Sequence, residues 1–545
     1  MYSKNLKKKD SYPTISINNI QLHSNYNPKK EAEKFIRAKC PDLKCSPSAV
    51  IILGAGLGYL TEVLRKVFSG IKIITIYYSD TVFENAFLYG SKSWHNKLNV
   101  SLSSFLKSNL GELDIEGLLI IEWPPSAHAV PLISKYVNRV MHQTISELTG
   151  NFRTTLSIGK RWIKNTFYNF LYIKPDFRIN FNSMNLPVLI TASGPSLNSV
   201  AEVIKKYRDK YILLSLPSSL LFLKSINVEP DITIVTDPGF YSFYHFKNYF
   251  NSHIRVAMPL SAPPNLHNLP FHFTYFVQPY FFEKDISDYA KLNLETIPSG
   301  GTVAASALEL ALRLTSGQII FAGLDFCYSD IKSHVEPNSF DFYYYLNSTK
   351  IRPLYSELFL YALERAPKQI INNGEKYRIS ETLSAYAGYF NSLPSIAANI
   401  PRKNIFRLLP SPVELNNINN LALPEFIKLM AKINSKKNIN PFKSAKKYPS
   451  FKVRKSILRN LLKNWLLIIN KAELKLISTG ELAAIIDNIQ FINLSYYIVP
   501  QLLIELKRSA RLKGKLNAME KAALIFKEEK IFLNRLIRMV EKAEL

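Results

Sequence analysis

Two buried apolar strands each run directly into a glycine-containing loop and then a helix, and this pattern constrains the fold most. In the first unit, the strand Ala49–Leu53 leads into a loop over residues 54–58 and a helix, and residues 71–77 form the next strand. In the second, the strand 186–191 leads into a loop over 192–197 and another helical segment. Strands that alternate with helices form parallel sheets covered by helices. The sequence therefore predicts an α/β protein with two Rossmann-like domains in tandem.

The hydrophobic pattern changes twice along the 545 residues, and a chain of this length needs more than one core. Helical periodicity over 131–148 and 153–170 leads to a boundary near residue 180. From Leu423 onwards long amphipathic segments replace strands, which indicates a helical domain and a candidate homo-oligomer or acceptor surface. The predicted domains are 1–180 (N-terminal, Rossmann-like), 181–422 (central, α/β) and 423–545 (C-terminal, α-helical).

Composition excludes several classes of function. The net charge is +27, but the basic residues are spread along the chain without a nucleic-acid-binding motif. No apolar run approaches the roughly 20 residues that cross a bilayer, and no apolar core follows the basic N-terminus. The three cysteines give no disulfide framework, and Cys40 and Cys45 without a nearby histidine make a poor zinc site. We expect a cytoplasmic protein with no metal, no transmembrane segment and no specific nucleic-acid partner, and a solvated linker over the basic run 432–455.

Two loops that precede helices carry the residues expected to bind a phosphate-containing substrate. In the first loop Gly194 can adopt positive φ, Pro195 directs the chain, and Ser196 can cap the helix and offer a hydroxyl to a phosphate. The other loop is a Ser-Gly-Gly-Thr run before the helical segment 303–314, an arrangement that suits anions. The binding residues predicted from these loops are Ser193, Gly194, Pro195, Ser196, Ser299, Gly300, Gly301 and Thr302.

Further polar residues follow the carboxyl ends of strands, where α/β folds gather their chemistry. Asp237 follows the strand 232–235 and is either a contact for a sugar hydroxyl or an ordinary turn aspartate. Asp325, a predicted substrate contact, Tyr328 and His334 follow the strand at residues 319–322. The unperturbed pKa of histidine, about 6.5, suits a general base near neutral pH. His334 is therefore either that base or an exposed loop histidine.

The loop of the first unit has two interpretations. Gly54, Gly56 and Gly58 let the chain turn tightly and bring backbone N–H groups towards a ligand. Tyr59 stands where a dinucleotide site prefers glycine or alanine, so the loop is nearer to an S-adenosylmethionine type, with Asp80 in reach of a ribose. The first interpretation is a second nucleotide loop, and the other is a nucleotide-type fold that holds no ligand.

The motifs of the second unit occur in the order and approximate spacing of the motility accessory factor family. They are Thr191-Ala-Ser-Gly-Pro-Ser-Leu197, Val235-Thr-Asp237, Ser299-Gly-Gly-Thr-Val303, Gly323-Leu-Asp325-Phe-Cys-Tyr328 and Ser333-His334, followed by Asn372-Asn-Gly374. These bacterial flagellin glycosyltransferases share an MptE-like domain with archaeal 6-hydroxymethylpterin pyrophosphokinases. Residues 22–32 and 54–60 resemble spirochaete-type members, so the resemblance covers most of 20–415. The central domain also resembles bacterial sialyltransferases that use CMP-sialic acid, in which Gly-Asn stands in place of Ala192-Ser193.

The resemblance implies transfer of a nonulosonic, sialic-acid-like sugar from a CMP donor to Ser or Thr of flagellin or a related protein. No cofactor is then required, because Ser, Tyr and backbone N–H donors can stabilise a single leaving phosphate without metal. In this scheme Tyr328 donates to that phosphate and His334 takes the acceptor's proton. One rival is a pterin pyrophosphokinase, which needs ATP, a divalent metal and more carboxylates. The other is a non-catalytic chaperone or scaffold for an exported protein.

Overall fold

The computed structural model describes residues 12–40, 47–174, 177–180, 184–372, 374–391, 404–433, 441–444, 448–512 and 515–544. Cys45, Asn373 and parts of the predicted linker 432–455 lie outside these residues. The strands are β1 (Ser16–Ile17), β2 (Ile20–Gln21), β3 (Ala49–Leu53), β4 (Lys72–Ile76), β5 (Lys92–Trp94), β6 (Leu119–Glu122), β7 (Phe177–Ile179), β8 (Val188–Thr191), β9 (Ile212–Ser215), β10 (Ile232–Ile234), β11 (Arg255–Pro259), β12 (His272–Phe276), β13 (Ile319–Ala322), β14 (Tyr328–Ser329), β15 (Lys368–Asn372), β16 (Glu375–Ile379), β17 (Ile405–Leu408), β18 (Asn419–Leu421) and β19 (Phe442–Ser444).

The helices are α1 (Pro28–Lys39), α2 (Tyr59–Val67), α3 (Asp80–Glu84), α4 (Leu102–Asn109), α5 (Pro124–Ala129), α6 (Pro131–Leu171), α7 (Ala201–Lys206), α8 (Leu220–Ser225), α9 (Phe281–Tyr289), α10 (Val303–Leu314), α11 (Ser339–Leu346), α12 (Leu354–Arg365), α13 (Glu381–Asn391), α14 (Leu423–Ala431), α15 (Phe451–Thr479), α16 (Ala483–Ile486), α17 (Ile489–Ile498), α18 (Pro500–Arg511) and α19 (Lys515–Lys542). Short 3-10 helices include Pro195–Val200, Pro217–Ser219 and Phe240–Tyr249. No helix in the part of the chain described above is long and apolar enough to cross a membrane.

The chain forms two compact units, and the C-terminal helices are divided between them. The first unit comprises Met1–Gly159 with Leu466–Phe532, and the second comprises Lys160–Trp465 with Leu533–Leu545. The boundaries predicted at residues 180 and 422 stay a prediction.

The first unit contains a four-stranded parallel sheet in the order β5-β4-β3-β6. The central strand β3 reads Ala-Val-Ile-Ile-Leu, and all five residues are buried. Such a continuous apolar run, rich in β-branched residues, is typical of a parallel strand with both faces covered. The predicted α/β class is therefore confirmed in this unit.

The second unit contains an eight-stranded parallel sheet in the order β12-β11-β10-β9-β8-β13-β17-β18. From β8 the chain adds strands outwards as far as β12, and it then returns to place β13 on the other side of β8. The loops that follow β8 and β13 therefore diverge at a topological switch point, where open α/β sheets bind ligands. A separate antiparallel sheet has the order β14-β16-β15.

One local prediction about helices was wrong. Helix α6 is one continuous helix of 41 residues rather than two, although Gly150 lies within it. A glycine in a helix interior costs about 1 kcal/mol relative to alanine, and burial of large side chains on both sides of it, such as Met141 and Phe167, offsets that cost. Residues 370–372 belong to the antiparallel sheet, and β17 and β18 are the last strands of the main sheet.

Glu529 of α19 is a buried carboxyl group, and burial raises its pKa to about 8. The Ser495 hydroxyl oxygen lies 2.9 Å from the carbonyl oxygen of Phe491 and 2.5 Å from Glu529 Oε1. The single Ser495 hydroxyl proton is donated either to the Phe491 carbonyl oxygen or to Glu529 Oε1, and donation to the carboxyl group partly opposes the rise in its pKa. With a pKa of about 8, Glu529 is mostly protonated at neutral pH.

We expect Glu529→Gln to raise the melting temperature at pH 8.5 and to change it little at pH 5. The folded state keeps a proton that an unfolded glutamic acid releases above about 4.5, so the contribution of Glu529 to stability falls as pH rises from about 4.5 to about 8. A glutamine amide can donate to Ser495 at every pH, and we expect a gain of about 1–2 kcal/mol at pH 8.5. Melting curves at both pH values test this, with the exposed Glu520→Gln as control. A gain at pH 5 that disappears at pH 8.5 would contradict it.

Candidate functional site

The loops that follow β8 and β13 are joined by a buried contact between Ser196 and Asp325. The Asp325 carboxylate accepts hydrogen bonds from the Ser196 backbone N–H (2.7 Å) and hydroxyl (2.5 Å). The positive φ predicted for Gly194 is wrong, since its φ is −63°; the residue must be glycine because a Cβ there would lie 2.4 Å from Asp325 Oδ2. The carboxylate of Asp325 lies beside the Ser196 hydroxyl, where a substrate phosphate was predicted. In this structure both residues hold the two loops together.

Arg407 is a buried positive charge beside this contact, and it did not emerge from the sequence. It lies on β17 and is 1% exposed. Its Nε donates to Asn420 Oδ1 (2.7 Å), and its Nη1 donates to the Ser411 hydroxyl oxygen (3.1 Å). Burial raises the pKa of Asp325, whereas hydrogen bonds from Ser196 and Ser411 and the charge of Arg407 act against this rise. An arginine within an otherwise apolar strand was the available signal.

Ser193 connects the loop after β8 with the segment that carries His334. The Val335 backbone N–H donates to the Ser193 carbonyl oxygen (2.7 Å), and the Ser218 hydroxyl donates to the Ser193 hydroxyl oxygen (2.8 Å). Thr191 and Ser219 make another hydroxyl pair at 3.1 Å. The carboxyl ends of β8 and β9 therefore gather four hydroxyl groups, two of them fully buried, and Ser193 joins this group to the segment that carries His334.

Tyr328 and His334, the predicted catalytic residues, are connected through Ser333. The Ser333 hydroxyl oxygen lies 2.8 Å from His334 Nδ1. Burial raises the pKa of Tyr328, and a hydrogen bond from Ser333 partly opposes that rise. Burial lowers the pKa of His334, so its imidazole is neutral at pH 7 and can accept a proton. The structure thus brings both residues to one place in suitable protonation states.

His245 is a second histidine near His334 that sequence reasoning missed. Burial, together with the nearby His334, lowers the pKa of His245 to about 4. Its Nδ1 is buried and has no hydrogen-bond partner among the described residues. The centroid of its ring lies 5.1 Å from that of the Phe340 ring. The aromatic stretch 240–250 contained this histidine, but nothing local distinguished it from a packing residue.

Two tyrosines of α13 lie beside Asp237 and the 299–302 loop, one at each. Asp237 is exposed, and its Oδ1 accepts from the Gly239 N–H (2.8 Å), as in an ordinary Asx turn. Burial and then the charge of Asp237 raise the pKa of Tyr386, so these two side chains are close together. One helical turn further on, Tyr389 packs on Gly300, where a Cβ would lie 2.8 Å from its ring.

The Ser-Gly-Gly-Thr run has the backbone that its sequence predicts. Gly300 and Gly301 adopt φ values of 48° and 77°, in the left-handed region that favours glycine. Thr302 is the N-cap of α10, and its side chain makes no capping bond to the helix. Ser299 and Thr302 are half-buried. The start of α10 can therefore offer N–H groups to an anion, and anion binding there stays a prediction.

Helix α6 fixes the neighbouring strand ends through two buried asparagines. The Asn165 side-chain amide donates to the carbonyl oxygens of Pro238 and Ser261, both at 3.1 Å. The Asn169 amide donates to the carbonyl oxygens of Leu260 (2.6 Å) and Ala262 (2.8 Å). These contacts hold the turn that carries Asp237. Asparagines on a helix look like surface residues in sequence, so they were not predicted.

The three glycines of the 54–58 loop lie against protein atoms rather than open space. A Cβ added to Gly54 would lie 2.6 Å from Ser126 Cβ. One added to Gly56 would lie 2.3 Å from His23 Nε2, and one added to Gly58 would lie 2.1 Å from the Phe87 carbonyl oxygen. His23 Nε2 also accepts from the Leu57 N–H (2.9 Å), and Asp80 lies 3.0 Å from His95 Nδ1. These surroundings favour the ligand-free interpretation, and nucleotide binding by this loop stays a prediction.

Comparison with protein families and solved structures agrees with this organisation. Residues 160–331 match the family model described as 6-hydroxymethylpterin diphosphokinase MptE-like. The whole chain is similar in structure to a Maf glycosyltransferase from Magnetospirillum magneticum AMB-1, with a TM-score of 0.57 over 98% of this chain and 92% of that one. The sequence identity is 10%, so this likeness establishes the fold. The resemblance seen in the motifs is thereby confirmed.

Curated relatives occur in Treponema pallidum (strain Nichols), where they are described as uncharacterized proteins. One is 24% identical over 249 residues, which is 44% of this chain and 53% of the relative. Another is 26% identical over 220 residues, which is 38% of each chain. The matches thus span about half of the first relative and less of the second.

Proposed function

We propose that this protein is a glycosyltransferase that moves a nonulosonic, sialic-acid-like sugar from a CMP donor to Ser or Thr hydroxyls of flagellin or a related protein. The observation that carries the proposal is the Tyr328–Ser333–His334 arrangement at the switch point, tied to the Ser193 loop through Val335. The likeness to a Maf glycosyltransferase and the order of the motifs support it.

The chemistry follows from the protonation states of the two residues. With its Nδ1–H donating to Ser333, His334 has a lone pair on Nε2 that can accept the proton of the acceptor hydroxyl. The acceptor oxygen then bonds to the anomeric carbon, and the bond from that carbon to the phosphate oxygen breaks. Tyr328 stays protonated and can donate to the departing phosphate of CMP, while N–H groups at the start of α10 offer further stabilisation.

The alternative is a pterin diphosphokinase, which the name of the matching family model favours. That reaction transfers a diphosphate from ATP and depends on Mg²⁺ held partly by carboxylates. Of the two carboxylates predicted at the site, Asp237 is exposed and available, whereas Asp325 is engaged with Ser196 and Ser411. This arrangement favours a donor with one phosphate.

We expect CMP without divalent metal to raise the melting temperature of the full chain. At 100 times its dissociation constant a ligand adds about 2.7 kcal/mol to stability, a readily measured shift. Asp237→Asn and Thr302→Val should each weaken CMP binding about tenfold, or about 1.4 kcal/mol. Asp209→Asn, beyond α7, should not.

The same measurement with ATP and Mg²⁺ separates the rivals. A shift with ATP and Mg²⁺ but not with CMP would favour the diphosphokinase. No shift with either would favour the chaperone or scaffold. If CMP raises the melting temperature equally in the wild type and in both site variants, CMP binds at a different place in the protein.

A further inference from the structure

Helices α11 and α12, with the turn between them, expose a large apolar surface. Ile351, Tyr355 and Leu360 are 92%, 65% and 61% exposed. The turn is closed by two backbone hydrogen bonds between Thr349 and Arg352, and ring contact between Tyr344 and Tyr361 joins the helices. The exposed apolar residues of this α11–α12 surface are Tyr343, Tyr345, Leu346, Ile351, Tyr355, Phe359, Leu360, Tyr361 and Leu363.

The apolar area that these two helices expose is large for a monomer. Aromatic side chains have areas of 150–250 Å², so the nine residues together expose on the order of 1,000 Å². The largest apolar patch on an ordinary monomer measures roughly 300–600 Å². The nine residues lie on more than one side of the two helices, so the outward row of α12 is the part that can meet a single partner.

The outward residues of α12 form a row suited to packing against an identical helix. Tyr355, Phe359 and Leu363 recur every four residues, and Ile351 extends the row before the helix begins. Of the α12 residues only Ala362 is buried, so the row faces outwards. Rows of this spacing interdigitate with one another at crossing angles of about −50°. In a dimer with a two-fold axis, this row of one copy would pack against the same row of the other copy.

The charge around the surface favours a second copy of this chain as its occupant. Residues 339–365 contain three acidic and three basic side chains, so this segment is neutral in a chain of net charge +27. Helix α15, which also exposes Leu474 and Ile477, has seven Lys and Arg and one Glu. Two copies that met through α15 would bring like charges together, whereas the α11–α12 surface carries no such repulsion.

We propose that two copies of this chain associate through their α11–α12 surfaces, with α12 packed against α12 of the other copy. This interface differs from the C-terminal helical one expected from sequence. It would border the candidate site, because Ala362 and Ala366 pack in a cluster with Tyr328 on the inner side of α12. The association does not depend on the reaction that the site performs.

Sedimentation of the full chain from about 1 to 100 µM tests the proposal. We expect a reversible dimer, and the double variant Phe359→Asp with Leu360→Asp should raise its dissociation constant at least 100-fold. Leu474→Asp on α15, a leucine 65% exposed, should leave it unchanged. Melting temperatures should stay near that of the wild type, since the substituted side chains are exposed. If the double variant does not fold, Tyr355→Asp alone replaces it.

Two outcomes would overturn the proposal. One is a wild-type chain that remains monomeric at 100 µM, which would leave the surface to a different protein. The other is a dimer that Leu474→Asp dissociates and the α12 variants do not.

Discussion

Replacing Asp325 by alanine will destabilise the second unit by about 2–5 kcal/mol, because each buried donor left without an acceptor costs about 1–3 kcal/mol and Asp325 accepts from two donors. The Ser196 N–H and hydroxyl would lose their acceptor, and the buried guanidinium of Arg407 would lose a nearby compensating charge. The free energy of unfolding, measured with denaturant, provides the test.

Two further variants separate a structural Asp325 from a substrate contact. Asp325→Asn keeps an acceptor for one Ser196 donor, so it should lose less stability than the alanine variant. Asp209→Ala, at a partly exposed position, should cost little. If Asp325→Ala weakens CMP binding while the free energy of unfolding falls by less than about 1 kcal/mol, Asp325 contacts substrate and the assigned role is wrong.

Replacing His334 by alanine will lower the rate of sugar transfer by about 10²- to 10⁴-fold, the usual contribution of a general base. Release of CMP from a CMP-nonulosonate donor measures this rate. The melting shift with CMP should persist, because His334 is assigned to the acceptor side of the reaction. His253→Ala, at an exposed histidine, should retain full activity. Loss of CMP binding with an unchanged turnover rate would place His334 in the donor site instead.

The pH dependence of the wild-type rate provides a second measurement on His334. Burial lowers the pKa of His334, and the imidazole acts as a base only when it is neutral. Activity should therefore be constant near neutral pH and fall at acidic pH, with its midpoint below the ordinary value for histidine, as the imidazole becomes protonated. A fall that begins above pH 7 would mean that a different group limits the reaction.

Much of the candidate site was visible in the sequence because its residues follow strands. Each buried strand ends in a short polar loop, and the carboxyl ends of parallel strands meet at one sheet edge. This reasoning placed Asp237, Tyr328 and His334 in the loops at that edge, and the roles predicted for them stay predictions. It also named Ser196 and Asp325 as substrate contacts, which stays a prediction, but it did not foresee their contact with each other. Their mutual hydrogen bonds join residues 129 positions apart, and no local pattern reports such a pairing.

Other residues were missed for the same reason. His245 sits in an aromatic stretch, and only the fold brings it near His334. Arg407 lies in an otherwise apolar strand, and only the fold shows that its guanidinium donates hydrogen bonds to Ser411 and Asn420. The glycines at 54, 56 and 58 left a nucleotide loop and a ligand-free fold as alternatives, and only the fold shows that His23 and Phe87 lie against Gly56 and Gly58.

The sequence by itself determined the α/β class, the positions of the loops and the identity of the residues that follow the strands. These depend on periodicity, turn residues and backbone stiffness, which act over a few residues. The tertiary structure decided which loops are joined by hydrogen bonds and which glycines have other parts of the chain packed against them. It also decided which apolar helix face is exposed. Those outcomes depend on contacts between distant segments, and only folding brings the segments together.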